Sequence, residues 1–138
     1  MIIAGFTGTK EGLSQNQHQA LSGLLNKINV LHHGDCVGAD EQAHNIVVAN
    51  PEILIYIHPP LQSKLRAYCK LATMTYEVKP YIERNHDIVD ATNCLIACPK
   101  EESGETLRSG TWATVRYARK LKRKIFVVRP SGRIEIEN

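Results

Sequence analysis

The sequence predicts an α/β fold: a single Rossmann-like domain with a mostly parallel sheet and helices on both faces. Three observations lead there. Short apolar runs rich in β-branched residues recur along the chain, as MIIA, INVLHH, ILIYIHP, NCLIAC and KIFVV. Longer segments between them carry apolar residues at helical spacing. The 138 residues, 43% apolar and 22% charged, suffice for one core without disulfides or metal. Strands alternating with helices imply a parallel sheet that is covered on both sides.

Taken in order, Ile2 to Gly5 reads as a buried strand. Ser14 is a plausible N-cap for a helix burying Leu21, Leu24, Leu25 and Ile28. INVLHH is the second strand. GDCVGADEQAHNIVVAN is a loop entering a helix, with Ala39, Ala43, Ile46 and Val47 inward. ILIYIHP is a third strand, stopped by Pro59 and Pro60. A short helix is expected over SKLRAYCKLA and a short strand near TYEVK. Pro80 suits the first turn of a helix reaching about Thr92. NCLIAC is a buried strand, TWATVRYARKL a helix with Trp112, Val115, Ala118 and Leu121 inward, KIFVVRP a strand, and RIEIEN an edge strand. No repeat or linker divides the chain, so residues 1–138 read as one domain.

The net charge of +3 permits anionic ligands but lacks the basic density of a dedicated nucleic-acid binder. RKLKRK (119–124) suits a solvated helix end, where its charges complement the helix dipole. No run is long enough to span a membrane and no signal peptide opens the sequence, so a cytoplasmic protein without a membrane partner is expected. Cys94 and Cys98 share one strand face and read as small buried hydrophobes. His32, His33 and Cys36 lack an apparent fourth ligand, and neither a metal nor a cofactor is expected.

In such sheets ligands bind beyond the carboxyl ends of the strands, which directs attention to loops 5–13, 33–40, 58–63 and 99–111. GFTGTKEG matches neither the Walker loop nor the dinucleotide fingerprint. Even so, glycine and small hydroxyl residues between a strand and a helix let backbone N–H groups approach an anion. Candidates are Thr7, Gly8, Thr9 and Lys10 in the first loop, and Arg108, Ser109, Gly110 and Thr111 in the last. GDCVGAD adds the carboxylates Asp35 and Asp40. Asp40 can cap its helix, hold a ribose hydroxyl or act on a glycosidic bond, and His44 lies one turn along from it. Arg84, near a helix N-terminus, is poorly placed for the dipole and calls for an anionic partner.

GDCVGADEQAH resembles the SGxAxGxDxxAH segment of the DprA (Smf) family. IERNHDIVDATNCLIACP with LRSGTWATVRYARKLKRKIFVVRP is similar to that family's RNRxIxxLS … RSGSxxTAxxA … VFAVPG pattern. The LOG phosphoribohydrolases share the layout, and together they define the SLOG superfamily. The resemblance runs from Gly5 to about Pro130. It implies a ligand pocket built from Gly8, Thr9, Gly34, Gly38, Asp40, Arg84, Asn85, Ser109, Gly110 and Thr111. In LOG enzymes an arginine and a glutamate support N-glycosidic cleavage; that glutamate's place is Thr114 here.

The expectation is therefore a protein that binds a nucleotide-derived small molecule, including ADP-ribose-type or cyclic signals of the kind related domains receive in bacterial and phage immunity, as a sensor or sequestering protein. Two alternatives stand beside it: a LOG-like hydrolase in which Arg84 and Asp40 act, and DprA-like binding of single-stranded DNA, less favoured because aromatic platforms are few. Tyr56, His58 and Trp112 are candidates to touch a base, and the resemblance implies a homodimer or larger homo-oligomer.

Overall fold

Seven strands form one sheet: β1 (Ile3–Gly8), β2 (Val30–His33), β3 (Leu54–Ile57), β4 (Met74–Thr75), β5 (Cys94–Cys98), β6 (Lys124–Val128) and β7 (Ile134–Glu137). Their order is β4-β3-β2-β1-β5-β6-β7 in this computed structural model, which describes residues 1–138. All pairings are parallel except that of β6 with β7. Four helices complete the domain: α1 (Gln15–Leu25), α2 (Ala39–Val48), α3 (Tyr81–Asp90) and α4 (Gly110–Lys120). None is long and apolar enough to cross a membrane.

Alternation along the strands builds two cores. Phe6, Leu31, Ile55, Ile57 and Ile96 pack with Leu21, Leu25, Ala43 and Val47 of α1 and α2, and Cys94 and Cys98 lie on this same face as free thiols. On the other face Leu95, Ala97, Ile125 and Val127 pack with Val89, Trp112, Val115 and Ala118 of α3 and α4. Fully burying each larger side chain contributes about 1.5–3 kcal/mol, so these two layers dominate stability.

The chain lays β2, β3 and β4 to one side of β1, then returns to place β5, β6 and β7 on the other. That reversal opens a crevice between the ends of β1 and β5, where Gly8 is paired with Cys98. Gln17 ties the carboxyl ends of β5 and β6 together: its buried amide donates to the carbonyls of Pro99 (2.9 Å) and Val128 (2.8 Å).

Several boundaries differ from expectation. β1 continues through Thr7 and Gly8 because β5 offers it partners there. Ser14 caps α1 as expected, in a capping box with Gln17, but the helix ends at Leu25, leaving Leu24 half-buried and Ile28 buried outside it. The helix expected over 63–72 is only a single 3₁₀ turn at Ser63–Leu65. Asp35 overrides helical propensity there, accepting from Arg66 Nε and Cys69 N, both at 2.9 Å. β4 is confined to Met74–Thr75, at the start of TYEVK, and Pro80 stands just before α3 as its N-cap.

Candidate functional site

The carboxyl ends of β1 and β5 and the N-termini of α2, α3 and α4 enclose a cavity of about 570 Å³. Thr7, Gly8, Thr9, Lys10, Asp40, Arg84, Asn85, Arg108, Ser109, Gly110 and Thr111 all line it. Gly34, Asp35 and Gly38 do not; they build its walls instead. A Cβ on Gly34 would lie 2.4 Å from Arg84 Nη1, and one on Gly38 would lie 2.4 Å from the carbonyl oxygen of Lys10. Gly38 also has φ +93°, so side chains are excluded there twice over. Asp35 is fully buried and anchors the 66–69 segment through its pair with Arg66.

Arg84 organises the site. It is 3% exposed, yet forms no ion pair. Its Nη1 donates to the carbonyls of Gly34 and His58, Nε donates to Asn85 Oδ1 (2.7 Å), and Nη2 points to the Cys36 sulfur (3.7 Å). The Tyr81 ring stacks on the guanidinium, 4.5 Å from ring centroid to Cζ. The charge is thus held by neutral acceptors at the cavity wall. No protein carboxylate forms an ion pair with it, although Asp40 lies near enough for the Arg84 charge to pull its pKa down.

Lys10, Lys100 and Arg108 join Arg84 at this cavity, against Glu11, Asp40 and Glu101. Two of these acids are engaged. Glu11 pairs with Lys100 at 3.5 Å; Glu101 accepts from Trp112 Nε1 (3.0 Å) and Thr106 Oγ1 (2.6 Å). Burial pushes the Glu101 carboxyl up, but those hydrogen bonds outweigh it and leave its pKa lowered. Asp40 differs: burial raises it to about 6 against the pull of Arg84 and of the Cys36 amide, which donates to its Oδ2 at 3.2 Å. It therefore changes charge near neutrality.

The first loop has fewer free backbone amides than its glycines suggest. The Thr9 amide donates to Cys98 O, those of Glu11 and Gly12 to Thr9 oxygens, and that of Leu13 to Gln42. The N-terminus of α4 retains more: Ser109 caps the Trp112 amide, and the Gly110 and Thr111 amides precede the first intrahelical bond. Asp40 does not cap α2, whose N-cap is Gly38 without a side-chain bond. Thr114 is buried and donates to Gly110 O, away from the cavity lining. Trp112 is likewise sealed in the α4 core rather than turned to a ligand.

Four histidines form two buried pairs that periodicity alone does not reveal. His44 turns from Asp40 to His33, whose Nε2 lies 2.9 Å from its Nδ1, and donates from Nε2 to Lys70 O at 2.7 Å. The Asp35 amide donates to His33 Nδ1. These partners fix both tautomers: His33 carries its proton on Nε2 and gives it to His44. His33, His44 and Cys69 bring ligand atoms within 4.8 Å of one another, but the protonated His33 nitrogen is spent on His44, so the set does not fit a metal ion. His32 Nδ1 pairs with His58 Nε2 at 2.8 Å on the opposite sheet face.

Comparison with known proteins gives a likeness of fold. The Moco carrier protein from Chlamydomonas reinhardtii has a similar structure, with TM-score 0.68 and 18% identity, covering 91% of this chain and 75% of that one. The structural-genomics target TM1055 matches with TM-score 0.68 and 14% identity over 96% of this chain and 76% of its own. No protein-family model and no curated sequence matches the chain. The shared architecture is Rossmann-like.

Residues the sequence did not single out also line the cavity: Glu11, Cys36, Leu65, Tyr81, Lys100, Glu101 and Thr106. Glu11, Cys36, Lys100, Glu101 and Thr106 fall inside the loops that the strand ends marked, so closer reading of those loops would have found them. Tyr81 had a separate signal, its place three residues before Arg84 on one helix face.

Proposed function

We propose that this domain binds a nucleotide-derived anion in the cavity between β1 and β5, as a sensor or sequestering protein of the SLOG type. The observation that carries this is the buried Arg84 guanidinium, which has no carboxylate partner and lines the cavity beside Lys10, Lys100 and Arg108. A phosphate would rest on Lys10, Arg108 and the Gly110 and Thr111 amides, with Asn85 and the Thr7, Thr9 and Ser109 hydroxyls completing the polar lining. Asp40 would accept from a ribose hydroxyl. The Moco carrier protein supports the reading to the extent that its name describes a carrier of a small ligand. Ile82 and Leu107, 72% and 84% exposed, lie next to lining residues and support self-association as a homodimer or larger assembly. Single-stranded DNA is not favoured, because Arg119 of the basic stretch is paired with Glu105 and Glu137.

Native mass spectrometry of the purified protein tests the reading. An intact nucleotide-derived molecule should accompany it, or ADP-ribose should bind on addition. An empty protein that takes up neither AMP nor ADP-ribose would contradict it. One observation favours a second reading: Asp40, buried at the cavity with its carboxyl near 6, suits proton transfer at a glycosidic bond. Release of free base and ribose phosphate from AMP, lost in Asp40→Asn, would establish that activity.

A further inference from the structure

A second cavity, of about 530 Å³, opens on the other side of Arg84, between α3 and the outer end of the sheet. Its surroundings are unlike the first. On this face α3 and α4 pack over β1, β5 and β6. Beyond them, β3 and β4 leave Leu54 and Met74 43% and 47% exposed. Parallel sheets are ordinarily covered on both faces. Instead an aromatic stack stands here: His32 on Tyr56 (centroids 4.8 Å apart), Tyr56 on Tyr76 (6.2 Å) and Tyr76 on His58 (4.6 Å).

Tyr76 and His58 line the cavity together with Glu77, Lys79, Asp87 and Asp90. Lys79 holds Asp87 through one carboxylate oxygen (2.6 Å), and Tyr117 donates to one oxygen of Asp90 (2.7 Å). The remaining oxygens, and the whole Glu77 carboxylate, are open acceptors. His58 is an independent pointer to a ligand. It is 5% exposed, its Nε2 is taken by His32, and its Nδ1 bonds to nothing in the protein. No fully enclosed side-chain nitrogen or oxygen lacks a partner, so this Nδ1 opens to the cavity. One proton is shared between His32 and His58. If His32 supplies it, His58 offers N–H to the cavity; if His58 supplies it, Nδ1 offers a lone pair. Burial lowers both rings to about 4, so this edge stays uncharged at neutral pH.

We propose that this second cavity binds a planar, amine-bearing nitrogen heterocycle. The ring would stack on the exposed part of the Tyr76 ring, its N or N–H edge would meet His58, and its two amino N–H groups would donate to two of the open carboxylates of Glu77, Asp87 and Asp90. The three carboxylates outnumber Lys79 and Arg84 in the lining and disfavour a phosphate. The site shares only Arg84 with the anion cavity and does not depend on the function proposed for it.

Adenosine is the probe, titrated into ¹⁵N-labelled protein. Saturable shifts should centre on Tyr76, Glu77, Asp87 and Asp90 and persist in the presence of ribose 5-phosphate. Inosine, which lacks the exocyclic amine, should bind roughly tenfold or more weakly, as loss of hydrogen bonds to charged acceptors implies. Tyr76→Ala and Asp90→Asn, each checked for an unchanged spectrum elsewhere, should weaken adenosine to a similar degree. Absence of saturable binding, displacement by ribose 5-phosphate, or full affinity in both variants would overturn the proposal. Because the anion cavity is read separately with ribose 5-phosphate, failure of either site is distinguishable from failure of the other.

Discussion

The two cavities that meet at Arg84 are of similar size but opposite chemistry. One gathers Lys10, Lys100 and Arg108 at helix N-termini; the other gathers Glu77, Asp87 and Asp90 around stacked rings. The difference arises from topology. The inner cavity lies at the strand-order reversal, where helix dipoles converge, while the outer one lies where no crossover helix follows β3 and the sheet face stays open. One buried cation lines both regions, so two cavities of unlike chemistry lie a single side chain apart.

The largest effect should come from the residue they share. Arg84→Met removes the guanidinium and leaves the Gly34 and His58 carbonyls unpaired. ADP-ribose affinity measured by calorimetry should fall on the order of a hundredfold, as truncation of a buried charge in a binding site does. Retained affinity would remove Arg84 from the anion site.

The pH dependence should separate the cavities. Asp40 is raised from its unfolded value to about 6, so its ionisation opposes folding: stability is full below about 4 and declines as pH rises through 6. The decline amounts to roughly 3 kcal/mol at most, and Asp40→Asn should abolish it. Anion affinity should likewise rise severalfold as pH falls from 7 to 5 in the natural protein and stay flat in Asp40→Asn. Adenosine binding should not change over that range, because His32 and His58 charge only near 4. Those two and His33, all lowered by burial, act on stability in the opposite sense. The contribution of His32 and His58 is present above about 6.5 and lost as pH falls through 4, by up to about 1.4 kcal/mol per pH unit for each ring, and His33 acts in the same direction. Denaturation curves from pH 8 to 4 would reveal both trends.

Gly38→Ala should destabilise the fold by about 1–3 kcal/mol in urea melts, since the added Cβ meets the Lys10 backbone at positive φ. It should weaken anion binding while leaving adenosine binding intact. Gly110→Ala, with its nearest new contact at 3.8 Å, is the counterpart for stability alone and should leave the urea melt unchanged. The smallest effect belongs to Lys79→Met. Its exposed pair with Asp87 is screened by solvent and contributes little, and its loss should slightly strengthen adenosine binding by freeing a carboxylate.

Much of the fold was legible in the sequence because strand and helix periods are local. NCLIAC, KIFVV and the α4 face formed where their patterns placed them. The inner cavity's rim was legible too, since loops after parallel strands share one edge of the sheet. What was hidden depends on register between distant segments. His33 meets His44 and His32 meets His58 only because β2, β3 and α2 are laid side by side. Asp35 read as a ligand residue because its loop did, whereas its partners Arg66 and Cys69 lie in a segment that composition marked as helix. The sequence singled out His58 and the shared Arg84 but not the outer cavity they line, because an uncovered sheet face is a property of topology.

The most direct measurement follows the Arg84 Nε–H resonance while ribose 5-phosphate is added to ¹⁵N-labelled protein. A saturable shift of that signal, accompanied by the Gly110 and Thr111 amides, is expected. Saturation elsewhere with these three unmoved, or no saturation at all, would contradict an anion site built on Arg84.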